Sequence, residues 1–352
     1  MAVIARRHGT GKSRGATSHS MRIGARTIAV RLGATLLALQ LGACAGATPR
    51  ALSAAYGADY CTPPGTLPRI DTPLAPLATV SVSEAVRAHF TARAFGLAYG
   101  AGGLADLEGI EHAAAVGGDE GASRARVHAA QINERLQIAH QQSAALEAEL
   151  DCEGERAAQL REFMEEREGR AVRTLTVSSI TVGGASAVAT ALLGRFAAGS
   201  VAEMVVGIAG GLSSAGLGMG IFFVAEHRRF MHERNLLSDI WQGPPRSDVY
   251  PPVVWYYLTQ REFSNAGVRP IRENVIARWS RFEHLSREAA AERARRERLF
   301  FGSGGIYSAD DLAIRVALLE QTRAAVALLD QEIDRLQREV MIRLASIPPS
   351  AR

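Results

Sequence analysis

The sequence has very few of the residues that several common kinds of chemistry require. Its 352 residues include three cysteines and a single lysine, Lys12, and aromatic residues make up 6% of the chain. Because the one lysine lies so near the N-terminus, the rest of the chain cannot support Schiff-base or P-loop chemistry. The shortage of aromatic residues argues against a sandwich or barrel of aromatic-rich strands.

The sequence also lacks the short motifs of familiar enzymes and metal sites. Gly-x-Ser-x-Gly, His-Glu-x-x-His and Cys-x-x-Cys are all absent. The glycine-rich stretch 300–307 follows a predicted helix instead of a strand, so it does not fit a nucleotide-binding loop. His227 and His232 are five residues apart, which on a helix does not bring both to one metal, and we expect a solvated helix face there. We therefore expect no catalytic residue, metal or cofactor, and an enzyme of unknown type is the least favoured alternative.

The charged residues are unevenly distributed along the chain. The formal net charge is +4, but residues 1–43 carry seven basic residues and no acidic one, and the remainder has three more acids than bases. The basic excess therefore belongs to the N-terminal segment, and it does not predict nucleic-acid binding. With 47% hydrophobic residues, the chain has enough apolar side chains to bury a core.

Residues 21–44 have the pattern of an export signal. Three arginines precede a mostly apolar stretch, 32–43, which is too short to cross a bilayer as a helix but suits a signal peptide. The stretch ends in Leu41-Gly42-Ala43-Cys44, which resembles the lipobox of bacterial lipoprotein precursors. That resemblance implies cleavage just before Cys44 and acylation of its thiol. Residues 1–43 would then be a signal peptide, with Met21 as an alternative start.

The same resemblance implies a location for the protein. An acylated Cys44 would anchor the chain in a lipid bilayer of the bacterial cell envelope, with the Pro-rich residues 44–80 as a tether. No Asp follows the cysteine, and in this family its absence favours the outer membrane, with the protein facing the periplasm. An ordinary secretory signal, or a buried helix that ends in a cysteine, is the alternative.

The other two cysteines, Cys61 and Cys152, form an even pair. In an oxidising periplasm they could form a disulfide, which would fasten the tether to a predicted helix. Two free, buried cysteines are the alternative.

Two long amphipathic helices are predicted on either side of the middle of the chain. Within 81–173, a stripe of twelve positions from Ile132 to Ala171 advances at alternating spacings of four and three. Nine of the positions are apolar, and the polar exceptions are Ser143, Glu153 and Arg167. Within 308–347, Ser308 begins a second such pattern with a helix-capping signal, and Pro348 ends it. A helical bundle is favoured over an extended coiled coil. Residues 226–307 are predicted to be helical with a Pro-rich loop, and their tryptophans are expected to pack in the core.

Residues 174–225 between those helices are predicted to form an apolar helical hairpin. Two uncharged runs, 174–194 and 204–225, are each long enough to cross a bilayer as a helix. Small residues recur in them at spacings of four, which lets helices approach closely in lipid. The residues expected to pack in this way are Gly183, Ala187, Ala191, Gly207, Gly211, Ala215 and Gly218. The alternative is a hairpin buried in the core of a soluble bundle.

The arginines that flank this hairpin conflict with the lipobox about its orientation. Both ends of the hairpin carry several arginines and the turn has one, Arg195, so the positive-inside rule predicts that both ends face the cytoplasm. The lipobox predicts that they face the periplasm. We give the lipobox more weight, because a hairpin inserted from the periplasmic side need not follow a rule about translocon insertion.

The sequence therefore predicts an all-α protein in which long amphipathic, coiled-coil-like helices bracket a glycine-rich hydrophobic hairpin. We expect a structural or protein-interaction lipoprotein of the envelope. Its expected partners are the lipid bilayer and either further copies of itself or another envelope protein. The alternative is an α-helical pore-forming protein that inserts the hairpin; this resembles toxins of the cytolysin A type in architecture alone, without a shared motif.

Overall fold

Helices build almost the whole of the described structure. The computed structural model describes residues 61, 74–196, 201–265, 267–282 and 289–347, and all of these belong to one unit, Tyr56–Arg352. The structure is 79% helical and 3% strand, which confirms the predicted all-α class.

The helices and strands follow one another in a simple order. They are α1 Glu84–His89, α2 Ala92–Gly100, α3 Leu104–Val116, α4 Gly118–Phe196, α5 Val201–Gly220, β1 Arg228–Met231, α6 Ser238–Gln242, α7 Pro252–Thr259, α8 Ile271–Phe282, α9 Ala290–Phe301, β2 Gly304–Tyr307, α10 Ala309–Ala327 and α11 Leu329–Ala345. Short 3-10 helices lie at Leu77–Thr79, Ile221–Phe223 and Arg261–Phe263.

The long helix α4 has 79 residues, and it is longer than the sequence pattern suggested. The predicted amphipathic helix and the first arm of the predicted hairpin are one continuous helix, because neither Pro nor a stop signal separates them. The predicted stripe is confirmed as a buried face from residue 132 to residue 164, with the buried members Ile132, Leu136, Ala139, Ser143, Leu146, Leu150, Glu153, Ala157, Leu160 and Met164. Arg167 and Ala171, the last two of the stripe, are only partly buried.

The C-terminal region is two helices, α10 and α11, where the sequence predicts one. The predicted cap at Ser308 is confirmed, because its hydroxyl accepts from the backbone N–H of Asp311 and the Asp311 carboxylate accepts from the N–H of Ser308. The helix breaks at Leu328 although neither Gly nor Pro is present. Past this break, α11 packs against the N-terminal helices, where Arg343 forms an ion pair with Glu111 at 2.8 Å. Tertiary packing therefore overrides local helix propensity at this point.

The N-terminal part also has one helix more than expected. The capping-box spacing of Ser81 and Glu84, with apolar residues recurring from Val86 to Leu97, predicts one amphipathic helix. The chain instead forms α1 and α2 with a break at Phe90. The caps are Ser83 and Thr91, whose hydroxyls accept from Val86 N–H and Ala94 N–H. Because Thr91 can cap a new helix, the chain turns there and packs the second helix onto α11.

A two-stranded antiparallel ribbon follows the hairpin, and the sequence did not predict it. Strand β1 pairs with β2, with Arg228 opposite Tyr307 and Met231 opposite Gly304. Gly304 has φ of 100°, and a Cβ there would lie 2.3 Å from the carbonyl oxygen of Phe230, so this position requires glycine. The ribbon holds the chain that leaves the hairpin against the start of α10.

The aromatic residues of 226–307 pack in the core, as expected. Trp279 is fully buried and Trp255 nearly so, and the ring of Trp241 stacks on Phe301 with centroids 4.4 Å apart. Trp279 also stacks on Phe301, with centroids 5.8 Å apart. These ring contacts pack α6, α8 and α9 together beside the ribbon.

Candidate functional site

The apolar hairpin is the most unusual surface of the described structure. Its first arm is the end of α4, residues 174–196, and its second arm is α5 with the short helix Ile221–Phe223. Both helices are long and apolar enough to cross a membrane by length and composition, and no residue of either apolar window is buried. At 1.5 Å per residue, the first arm and α5 span about 34 Å and about 30 Å, which matches the ~30 Å hydrocarbon layer of a bilayer.

The large apolar side chains of the hairpin point outward. Ile180 is 69% exposed, Leu212 is 70% exposed, and Phe222 and Phe223 are 86% and 85% exposed. Other large apolar side chains exposed on the arms are Val177, Val188, Leu192, Phe196, Val201, Met204, Val205, Ile208 and Met219. The alternative of a hairpin buried in a soluble core does not describe this arrangement, because the described body does not cover either arm.

The two arms contact each other through small residues. Ser214 Oγ donates to the carbonyl oxygen of Ser179 across the hairpin at 2.9 Å. A Cβ on Gly210 would lie 2.1 Å from Ser186 Cβ, so only glycine fits there without displacing the opposite arm. This close approach resembles the small-residue packing of helices in lipid.

The seven predicted packing residues do not all face the opposite arm. A Cβ on Gly183 would lie 3.1 Å from Ser214 Oγ, and one on Gly207 would lie 3.6 Å from Thr190 Oγ1, so these glycines face the opposite arm. An open groove runs between the arms. These two glycines line it, together with Ala187, Ala191, Gly211 and Ala215. A Cβ on Gly218 would have no described atom within 4 Å, so this glycine does not meet the first arm.

The sequence pattern did not identify Gly210, which makes the closest approach to the opposite arm among the described glycines of the hairpin. The second arm has two rows of small residues at the same spacing of four, one through Gly207 and one through Gly210. The spacing alone cannot show which row comes nearer to the first arm, because that depends on how the helix is rotated about its axis.

Six hydroxyl groups of the first arm donate hydrogen bonds within the helix itself. Each of the following donates to a backbone carbonyl three or four residues earlier, at 2.8–2.9 Å: Thr174, Thr176, Ser179, Thr181, Ser186 and Thr190. These bonds lower the cost of placing an arm with many Ser and Thr residues in hydrocarbon, where an unpaired hydroxyl would be unfavourable.

Charged residues begin where the apolar arms meet the body. Glu168 Oε1 accepts from the backbone N–H of Glu226 at 2.6 Å, and Arg167 lies 3.6 Å from the Glu226 carboxylate, which also pairs with Arg228. Arg170 forms a surface pair with Glu166 at 3.4 Å. The contacts of Glu226 tie the two ends of the hairpin together at one level.

A buried polar cluster lies just inside this boundary. Arg156 Nη2 donates to Glu153 Oε2 at 2.8 Å and to the carbonyl oxygen of Met231 at 3.0 Å. Arg315 is fully buried, lies 3.9 Å from the same Glu153 oxygen, and donates to the carbonyl oxygen of Phe300 at 3.2 Å. The Arg156 guanidinium stacks 4.2 Å from the centroid of the Phe230 ring. The cluster thus joins α4, α10 and the strand that follows the hairpin, and burial lowers the pKa of Arg315.

His232 belongs to this cluster, so the expectation of a solvated helix face is wrong for this residue. It is fully buried after β1, and its Nε2 lies 3.1 Å from the hydroxyl of Tyr307, which itself donates to the carbonyl oxygen of Leu299. His232 Nε2 is therefore the donor in this contact. Burial, together with the nearby Arg315 and Arg156 charges, lowers the pKa of His232 to about 2, which keeps the ring neutral.

The structure joins Cys61 to Cys152 by a disulfide, the pairing considered from the sequence. The bond fastens the segment before α1 to the middle of α4. Cys44 and the proposed signal peptide 1–43 lie outside the described residues, as does most of the proposed tether 44–80.

In the parts of the chain that the structure describes, no group of three or more His, Cys, Asp or Glu side chains could hold a metal ion. No protein-family model matches the chain, and no curated protein or solved structure matches it either.

Proposed function

We propose that this protein is a lipid-anchored structural or interaction protein of the bacterial cell envelope that inserts its apolar hairpin into a membrane. The observation that carries the proposal is that no residue of the apolar window on either arm is buried. Exposed apolar patches of this extent indicate contact with a membrane or a partner. The match between arm length and hydrocarbon thickness favours a membrane.

The lipobox supplies the second part of the proposal. Acylation of Cys44 would hold the chain at a bilayer, and the hairpin would add a second attachment, which makes the anchoring stable. Under this proposal the helical body faces the periplasm from the outer membrane. The open groove between the arms, with Gly211 and Ala215 on its walls, is where a hairpin of a second copy could pack.

Membrane fractionation with variants tests the two attachments separately. Cys44→Ala should abolish acylation, which mass spectrometry of the N-terminal peptide would detect, while the protein stays in the pellet after carbonate washing and leaves it with detergent. Adding Ile180→Asp and Leu212→Asp, at two exposed positions on the arms, should release the protein into the carbonate supernatant.

A matched control is available on the same helix. Val127 and Ile138 are 57% and 49% exposed in the body part of α4, so Val127→Asp with Ile138→Asp adds the same two charges outside the hairpin and should not release the protein. Complete solubility of Cys44→Ala alone would mean that the hairpin does not hold the protein in the membrane. An acyl-free N-terminal cysteine in the wild-type protein would remove the lipoprotein part of the proposal.

Pore formation is the second candidate, and one observation favours it. The groove between the arms carries the polar side chains of Ser186, Thr190, Glu203 and Ser214 among small residues, so an assembly of hairpins would bring polar groups to a shared surface. Dye release from liposomes by purified, unacylated protein tests this, with Leu212→Asp as the inactive variant. The structural proposal predicts no release, because a permanent lipid anchor fits poorly with a protein that must reach another cell.

A further inference from the structure

A row of polar side chains runs along the seam between the two arms, whereas the large side chains on the outer surface of the hairpin are apolar. On the first arm, the members of the row share one face of the helix, because their spacings of three, seven and four residues return to the same side. The row consists of six partly buried side chains: Thr176, Ser179, Ser186 and Thr190 on the first arm, and Glu203 and Ser214 on the second.

The oxygen atoms of this row are spread along most of the hairpin. Ser214 lies beside Gly183, since a Cβ on that glycine would be 3.1 Å from the serine Oγ. Glu203 lies beside Gly194 in the same way, with Oε1 at 3.0 Å from the added carbon. At 1.5 Å per residue, the row from Thr176 to the level of Gly194 is about 27 Å long, with neighbouring members about 4–6 Å apart. It therefore covers most of the ~30 Å hydrocarbon layer of a bilayer.

The row offers electron pairs, because its hydroxyl hydrogens are already used. Each of its five hydroxyls donates to a backbone carbonyl oxygen at 2.8–2.9 Å, and Ser214 does so across the seam, to Ser179. A hydroxyl that donates in this way keeps lone pairs for another partner. Glu203 is the one charged side chain among the described residues that line the groove, and Arg195, at the same end, is exposed and does not line it. The chemistry of the row therefore suits a cation.

We propose that this row is a path for small monovalent cations across the membrane, with Glu203 attracting the cation at the end remote from the body. Channels select cations with oxygen atoms that replace the hydration shell and with acidic side chains. An ionisable side chain within a membrane span commonly marks such a path. The groove is open on one side, so a second hairpin has to close it. The inference therefore rests on the proposed insertion and pairing of hairpins, and it adds a transported ion.

Potassium flux from liposomes tests the proposal with the mature chain carrying Cys44→Ala. Liposomes loaded with potassium sulfate are diluted into N-methylglucamine sulfate that contains a protonophore, and an internal pH dye reports the protons that enter as potassium leaves. Wild type should speed this change over protein-free liposomes. Glu203→Gln should slow it about tenfold, because one charge that attracts the cation is lost. Under a matching chloride gradient, a chloride-sensitive dye should report no chloride movement.

Two pairs of variants test the row itself. Glu203→Asp keeps the charge and should keep most of the flux, whereas Glu155→Gln removes an exposed carboxylate outside the hairpin and should change nothing. Thr190→Val keeps the shape of the side chain but removes one oxygen of the row, so it should slow the flux several-fold. Thr181→Val makes the same change at an exposed position of the same arm and should leave the flux unchanged.

Flotation of the same liposomes after carbonate washing separates the path from the insertion on which it rests. Protein that the wash removes from the liposomes would overturn both. Inserted protein that conducts no potassium, or that conducts chloride equally well, would overturn the cation path and leave insertion standing. The same holds if Glu203→Gln and Thr190→Val together leave the potassium flux unchanged.

Discussion

Gly210 and Ser186 face each other across the hairpin so closely that a Cβ on the glycine would lie 2.1 Å from the serine Cβ. Rotation of the serine side chain cannot relieve this overlap, because a Cβ does not move with χ1. The backbone distance between the arms at this level is therefore set by one glycine.

Gly210→Ala should separate the arms. In an isolated helix, Gly to Ala favours folding by up to about 1 kcal/mol, but overpacking of this kind typically costs about 1–3 kcal/mol, so we expect a net loss of stability of up to about 2 kcal/mol. Thermal unfolding of the detergent-solubilised protein, followed by circular dichroism, measures the result.

The matched control is Gly218→Ala on the same arm. No described atom lies within 4 Å of the added carbon, so this change should leave stability equal or slightly higher. If Gly210→Ala raised the melting temperature as much as Gly218→Ala, the arms would not pack as closely as described.

Glu153→Gln should destabilise the body strongly. Glu153 is 4% exposed, and its carboxylate is shared by Arg156 and Arg315, both buried. Removing the negative charge leaves two buried guanidinium groups without a counter-charge. Losing one partner of a buried ion pair typically lowers the free energy of unfolding by about 3–5 kcal/mol. Urea unfolding at neutral pH would measure this loss.

Glu155→Gln provides the comparison for that experiment. Glu155 lies two residues away on the exposed side of α4, where it contacts Gln159, so its loss should change stability by no more than about 0.5 kcal/mol. Equal effects of the two substitutions would contradict the account of the buried cluster.

His232 should make stability fall in acid. Its pKa is about 2 in the folded protein and near 6.5 when unfolded, so below pH 6.5 the unfolded chain binds a proton that the folded protein does not. The resulting loss of stability is up to about 1.4 kcal/mol for each pH unit between 6.5 and 2. Above pH 6.5 both states are neutral, and the residue adds no pH dependence.

The variant His232→Gln separates the effect of His232 protonation from the effect of protonating Asp and Glu side chains. The stability advantage of wild type over the variant should shrink as the pH is lowered from neutral to about pH 4, by an amount of order 3 kcal/mol. A pH-independent difference between the two proteins would mean that His232 titrates normally in the folded protein.

Breaking the Cys61–Cys152 disulfide should also lower stability. The bond closes a loop with a sequence separation of 91 residues, and removing a bond of this kind typically costs about 2–5 kcal/mol. Cys61→Ser, Cys152→Ser and the double variant should be destabilised to a similar extent. Alkylation of the unreduced wild-type protein checks the bond directly: labelling of both thiols would show that it does not form.

Much of the helical framework follows from local patterns that are readable along the chain. The stripe from Ile132 to Met164 predicts a buried face because every third or fourth residue of a helix returns to the same side. The cap at Ser308 is local too, since its partner Asp311 is three residues away. The ribbon is different, because Arg228 and Tyr307 are distant in sequence and four-residue strands give little periodicity.

The sequence by itself determined the helical class, the apolar hairpin and the lipobox-like motif, because composition, spacing and a short motif are local properties of the chain. The tertiary structure alone decided that Gly210 instead of Gly211 meets the opposite arm, and that α10 and α11 separate at Leu328. It also decided that His232 is buried beside Arg315 and not in solvent. These features depend on the rotation of each helix and on contacts between segments far apart in sequence, which no local pattern encodes.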